Sequence, residues 1–234
     1  NANGTGPFIL KSYEPDNRLV LVAHPHWWGK RANVTEAVYT VIQSDATRLA
    51  AANAERLYPH AAAGQPIVFC EPSCLSAVRE DAPSLLRGDA RRKAEAVANA
   101  TVLFEEFAGT IVSRLTLSPG PATILLHGHC HQKSMGLVPS AKDLLSKIPG
   151  TTVTALDAGC CGMAGSWGYA RNHFDLSRAI GERKLFPAVR SRATGTIVAA
   201  AGTSCRHQLR DFTGVEAVHP AVLLQSLLTK AHTA

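Results

Sequence analysis

The sequence predicts an α/β protein, and three observations carry that expectation. Short apolar, β-branched runs alternate with longer stretches of helical spacing. Each of the six cysteines, Cys70, Cys74, Cys130, Cys160, Cys161 and Cys205, follows such a run within a few residues. Two parts of the chain also resemble one another. Trp27-Trp28-Gly29 aligns with Cys160-Cys161-Gly162, and Glu71-Pro72-Ser73-Cys74 with Gly202-Thr203-Ser204-Cys205. The intervals agree, at 46 positions from Trp28 to Cys74 and 44 from Cys161 to Cys205. The pattern reads as an internal duplication. The expected architecture is two similar Rossmann-like halves, the first incomplete, with their cysteine loops facing a common region.

Residues 1 to 17 give no periodic signal. Arg18 to Ala23 reads as a strand, Val34 to Leu57 as an Ala-rich helix ending before Pro59, and Pro66 to Phe69 as a short buried strand. A second long helix is expected from about Arg91 to Leu115. Ser118-Pro119-Gly120-Pro121 is the clearest linker. The boundary is therefore set between residues 1–117, a degenerate first repeat, and 118–234, the second. Thr123 to Leu126 opens the second half as a strand. A helix near Ala141 to Lys147, a strand from Thr151 to Leu156, helical spacing from Tyr169 to Val189 and a strand from Thr196 to Ala201 follow. Val215 to Val218 reads as a short strand, and Pro220 to Lys230 as a closing helix.

At 234 residues, 46% hydrophobic and 18% charged, the chain has ordinary globular composition and length enough for one large core or two modest ones. Its formal charge of +6 comes from scattered residues. The one local basic cluster, Arg87 to Lys93, is interrupted by Asp89 and reads as a solvated face suited to an acidic partner, not as a nucleic-acid site. No apolar run approaches the roughly 18 to 20 residues of a membrane helix, and no signal peptide is visible. The expected location is cytoplasmic, with any membrane association peripheral and made through partners. The first residue is Asn, which suggests a fragment, a processed chain or an incomplete gene.

The chemistry centres on Asp157 to Gly168, where Cys160 and Cys161 stand among glycines spaced three apart. Glycine lets the backbone turn and approach a bulky ion. Two neighbouring core cysteines need no function, and a disulfide between adjacent residues strains the peptide. A phosphate loop lacks its G-x-G-x-x-G spacing and its Lys-Ser/Thr pair. Cys130 beside His129 or His131 offers a nucleophile and base, without an orienting acid or an oxyanion hole. The remaining reading is metal. Cys130, Cys160, Cys161 and Cys205 supply four thiolates, a set that selects iron–sulfur clusters or zinc. The paired short spacings of a zinc ribbon are missing, since 30 positions separate Cys130 from Cys160. Adjacent ligands suit a multi-iron cluster, which offers each a separate metal atom. His127, His129 and His131 alternate about Cys130 and are expected mainly to orient the loop or hydrogen-bond thiolates. Lys133, Arg206 and His207 offer charge to offset thiolates.

With His127-Gly128-His129-Cys130-His131-Gln132-Lys133, Gly159-Cys160-Cys161-Gly162-Met163-Ala164-Gly165-Ser166-Trp167-Gly168-Tyr169, Ser204-Cys205-Arg206 and Glu71-Pro72-Ser73-Cys74, the chain resembles the duplicated cysteine-rich (CCG) domain. That domain occurs in heterodisulfide reductase, in the iron–sulfur subunits of glycolate oxidase and anaerobic glycerol-3-phosphate dehydrogenase, and at the end of FAD-linked D-2-hydroxyacid dehydrogenases. The likeness runs from about residue 45 to 230. It implies a [4Fe–4S] centre on Cys130, Cys160, Cys161 and Cys205, with His129, His131, Gly162, Gly165 and Arg206 around it. It also implies FAD on a partner subunit or domain, a ferredoxin-type iron–sulfur module, and electron transfer for a flavin-linked oxidoreductase acting on a small 2-hydroxy acid. The rival expectation is a zinc-stapled, non-redox interaction module. Two features depart from the family. Trp27-Trp28-Gly29-Lys30-Arg31 stands where the first repeat has Cys-Cys-Gly-Arg-Pro, and neither a flavin domain nor a CxxCxxC motif is present. No complete substrate site is therefore evident in this chain alone.

Overall fold

The computed structural model describes residues 6–14, 18–30, 33–40 and 44–229. It opens with three antiparallel strands, β1 (Phe8–Glu14), β2 (Arg18–Ala23) and β3 (Glu36–Thr40), in the order β1-β2-β3. The strand expected at Arg18 to Ala23 is present. The helix expected from Val34 is not, because Glu36 to Thr40 pairs along β2, with Val38 opposite Val20. β-branched and aromatic residues suit that pairing. The helix α1 begins only at Asp45, where the Ser44 side chain accepts from Thr47 N, and runs to Ala62. It continues past Pro59, since the carbonyl of Pro59 still accepts from Ala63 N in the last turn.

β4 (Ile67–Phe69) follows, then α2 (Pro72–Ser76), a π-turn over Ala77–Asp81, α3 (Ala82–Leu85) and α4 (Gly88–Ala100). The single helix expected from Arg91 to Leu115 is broken. Thr101 to Leu103 forms β5, parallel to β4, before α5 (Phe104–Ile111) resumes. A β-branched pair beside an available strand edge overrides local helical spacing here.

The remainder is a parallel α/β unit: β6 (Thr123–His127), α6 (Cys130–Ser134), α7 (Val138–Leu145), β7 (Thr152–Ala155), α8 (Phe174–Glu182), α9 (Leu185–Arg190), β8 (Ile197–Ala200), α10 (Thr203–Thr213) and α11 (Pro220–Leu227). Its strands run β7-β6-β8, all parallel, and Val218 adds a parallel bridge to Ala199. The helix expected from Tyr169 to Val189 is two helices meeting at a tight corner. There a Cβ on Gly181 would lie 2.1 Å from the ring of Phe186.

The sheet splits the core by strand alternation. Ile124, Leu126 and Ala199 join Leu144, Leu145 and Ile148 on one face, while Val198 and Ala200 join Phe186, Leu209, Cys161 and Cys205 on the other. A third cluster, Leu75, Leu103 and Leu137, joins α2 and β5 to the segment between α6 and α7. The segment read as a linker is pinned down, with Ser118 N donating to Leu227 O and Gly120 N to Pro149 O.

The protein is thus mixed α/β with parallel sheets. Two matching halves are not what the described residues show. The part before residue 117 holds an antiparallel three-stranded sheet and a two-stranded parallel pair, against the three-stranded parallel sheet of the later part. Trp27-Trp28-Gly29 lies between antiparallel strands, not after a parallel one. No helix among the described residues is long and apolar enough to cross a membrane.

Candidate metal centre

Parallel strands all present their carboxyl ends to one edge, and an open sheet with this order binds ligands in the crevice there. That edge gathers the second-half cysteines. Cys130 opens α6 directly after β6, Cys160 and Cys161 lie on the loop after β7, and Cys205 sits in the first turn of α10 after β8. All are free thiols. Cys161 and Cys205 are buried at 3% and 2% exposure, Cys160 is half-buried, and Cys130 is exposed.

The thiols act on one another's ionisation. Interaction with the Cys130 and Cys161 thiols holds Cys160 far below the ordinary thiol range, helped by Gly162 N, which donates to its sulfur at 3.4 Å. The Cys160 and Cys205 thiols, together with burial, push Cys161 up. Cys205 is lowered chiefly by the Cys161 thiol, against its burial, with His127 adding to the effect. The Cys160 thiol, with burial, raises Cys130. Among the described residues, no three His, Cys, Asp or Glu side chains close into a compact shell for one ion. Thiolate is the donor type that soft, thiophilic metals select.

The loops are held from behind. Lys133 Nζ donates to the carbonyls of Ala158 and Gly159, so this lysine fixes the Cys160 loop rather than standing free in solvent. His129 caps α6, its Nδ1 accepting from His131 N at 3.2 Å and lying 3.8 Å from Cys130 Sγ. Gln132 reaches back to His129 N, and the rings of His129 and His131 stack. Arg206, expected to offset thiolate charge, spends its guanidinium on the carbonyls of Ala200 and Ala201 and on Thr203 Oγ1. Gln208 donates to Cys161 O at 3.1 Å and to Ser177 Oγ at 2.8 Å, a brace that no motif announced.

Two of the glycines have specific reasons. Gly162 has φ +98°, and a Cβ there would lie 2.1 Å from the backbone oxygen of Ser177. Gly165 has φ +72° with open space around it. We expect Gly162→Ala to lower stability by about 2–4 kcal/mol, read from urea unfolding, since backbone strain and a main-chain clash add. Gly165→Ala is expected to cost about 1 kcal/mol.

Cys70 follows β4 of the other parallel pair, and Cys74 lies within α2. The loop between them crosses to the thiol edge: Glu71 Oε2 accepts from Thr203 N at 2.8 Å, and His219 Nε2 bonds the carbonyl of Cys70 at 2.8 Å. No hydrogen bond joins either thiol to Cys130, Cys160, Cys161 or Cys205. Burial and the Glu71 carboxylate raise Cys74. Sequence reading did not foresee the crossing by Glu71. Its only signal was the residue's place in the repeated Glu71-Pro72-Ser73-Cys74 segment.

Comparison with known proteins gives two results of different extent. The family "Bacterial extracellular solute-binding proteins, family 5 Middle" matches residues 1–63, a stretch that ends before Cys70 and contains β1 to β3. No solved structure matches. One subunit of the anaerobic glycerol-3-phosphate dehydrogenase of Escherichia coli K12 is 30% identical over 166 residues, 70% of this chain, and its counterpart in strain O157:H7 matches equally. The chain spans 41% of the length of these relatives.

Proposed function

We propose that the chain is an iron–sulfur electron-transfer subunit, or a portion of one, serving a flavin-linked oxidoreductase. Cys130, Cys160, Cys161 and Cys205 are its ligands. The observation that carries this reading is the placement of four cysteines after the carboxyl ends of three neighbouring parallel strands, in a chain 30% identical to a subunit of anaerobic glycerol-3-phosphate dehydrogenase. A [4Fe–4S] cluster supplies one-electron chemistry and needs thiolate donors on separate iron atoms. The protein's part is positional. Cys161 and Cys205 grow out of the apolar cluster around Phe186 and Leu209, which keeps water from that side of the centre. Lys133 and Gln208 fix the loop backbone, and His129 and His131 orient the start of α6. Gly162 lets the loop lie against α8.

FAD, a ferredoxin-type module and the oxidised substrate belong in this reading to partner subunits or domains. The relatives' name points to glycerol 3-phosphate and the family likeness to a small 2-hydroxy acid. Metal analysis of anaerobically purified protein tests the proposal. Iron with inorganic sulfide is the expected result. Stoichiometric zinc without sulfide would instead support a zinc-stapled interaction module, and absence of both metals would leave the cysteines without a metal role.

A further inference from the structure

We propose that Glu71 is a positioning residue of the thiol edge: its carboxylate closes the amino end of α10, which carries Cys205, and faces the His129 ring beside Cys130. This inference rests on reading those cysteines as ligands, yet its first test does not.

The need for such a group arises locally. A helix leaves its first N–H groups without intrahelical partners, and a Ser, Thr, Asp or Asn at the N-cap usually supplies the acceptor. The N-cap of α10 is Gly202, which has no side chain to offer. Glycine is required there because a Cβ would lie 2.2 Å from Cδ2 of His129. The close approach of His129 thus removes the residue type that would cap α10. The acceptor arrives from 132 positions earlier, with Glu71 Oε2 at 2.8 Å from Thr203 N.

Glu71 is itself held for this task. Its Oε1 accepts from Ser73 Oγ at 3.0 Å and caps α2 through Ser73 N, so Oε2 is left for Thr203. The same Oε1 stands 4.0 Å from His129 Nε2. Burial disfavours the charged carboxylate, but the bonds from Thr203 and Ser73 outweigh it, so Glu71 is ionised at neutral pH. Two further ties hold the turn in place: His219 on the Cys70 carbonyl, and the Leu75–Leu103–Leu137 contact. One carboxylate, brought by the β4–α2 turn, thus bonds the start of the Cys205 helix and stands against the His129 ring of the Cys130 loop.

The test compares Glu71→Ala with Glu71→Gln in the protein as isolated. Amide hydrogen exchange at Thr203 is expected to quicken about tenfold or more in the Ala variant and to stay near the parent rate in the Gln variant, whose carbonyl oxygen still accepts. Amides of β6 and β8 are the internal control for global destabilisation. Where they also quicken in Glu71→Ala, the Gln variant decides, because it keeps the acceptor and loses only the charge. In iron-loaded protein, Glu71→Ala is expected to release iron to a chelator about 10- to 100-fold faster. Glu71→Gln is expected to retain iron and shift the reduction midpoint to a more positive value, since a negative charge beside the centre is gone. Unchanged Thr203 exchange in Glu71→Ala overturns the proposal, as does an unshifted midpoint in Glu71→Gln. If the protein holds no iron, the proposed function fails while Thr203 exchange still decides the role of Glu71.

Discussion

Replacing Cys160 by Ser is expected to abolish metal binding, whereas Cys70→Ser and Cys74→Ser should each leave most of it. Cys160 is one of four cysteines at the carboxyl edge of the parallel sheet, and its ionisation is tied to the Cys130 and Cys161 thiols. Its loss leaves three thiols, one short of the four that a four-iron centre takes. Cys161→Ser should have the same effect, with an added stability cost because this residue is buried in the Phe186 cluster. The exposed pair Cys70 and Cys74 follows a strand of the other parallel sheet, and Trp27 and Trp28 offer no replacement ligand, since an indole nitrogen only donates. Iron and sulfide content per chain, measured on each variant after anaerobic purification, checks the contrast. Complete metal loss in Cys74→Ser would mean that the two cysteine regions share one centre and that this ligand assignment is wrong.

Glu105→Met is expected to stabilise the protein by about 3 kcal/mol at pH 8 and by far less near pH 5. Glu105, in the first turn of α5, is fully buried, and neither carboxylate oxygen has a hydrogen-bond partner. Burial, with smaller contributions from the charges of Glu106 and Glu71, raises its pKa from 4.5 to about 7. Nearby charge is otherwise committed or peripheral. Glu106 pairs with Arg79, while Asp143 of α7 and Lys147 just after it line a cavity of about 300 Å³ alongside. The folded state therefore binds the proton more tightly than the unfolded chain. The contribution of this group is undiminished below about pH 4.5, declines as pH rises toward 7, and is fully lost above it. A difference of about 2.5 pH units corresponds to about 3 kcal/mol. Methionine removes the titrating group at similar volume and leaves no unpaired polar atom. Denaturant midpoints of both proteins from pH 5 to 8 measure the effect. Parallel stability curves across that range would show that Glu105 does not titrate in the folded state.

The strands of the later part were legible because each is a short β-branched run bounded by turn residues, and β6, β7 and β8 fall within a residue or two of their expected limits. The gathering of cysteines at one edge was legible for a related reason: a cysteine placed just after each parallel strand is carried to the same side of the sheet. Errors clustered where pairing overrode local spacing. Glu36 to Thr40 and Thr101 to Leu103 have helix-compatible surroundings and become strands because β2 and β4 offer them edges. The repeat around Trp28 failed as a structural guide, since a matched interval says nothing about strand direction.

By itself, then, the sequence determined the α/β alternation, the position of each cysteine after a strand, and the glycines that let the Cys160 loop turn. Those properties depend on residues close together in the chain. Only the tertiary structure decided that Lys133 holds the Cys160 loop, that Gln208 braces Cys161, and that Glu71 caps a helix 132 positions away. Each of these is a partnership between groups far apart in sequence, and a hydrogen bond or desolvation cost exists only once packing brings the groups within about 3 to 4 Å of one another.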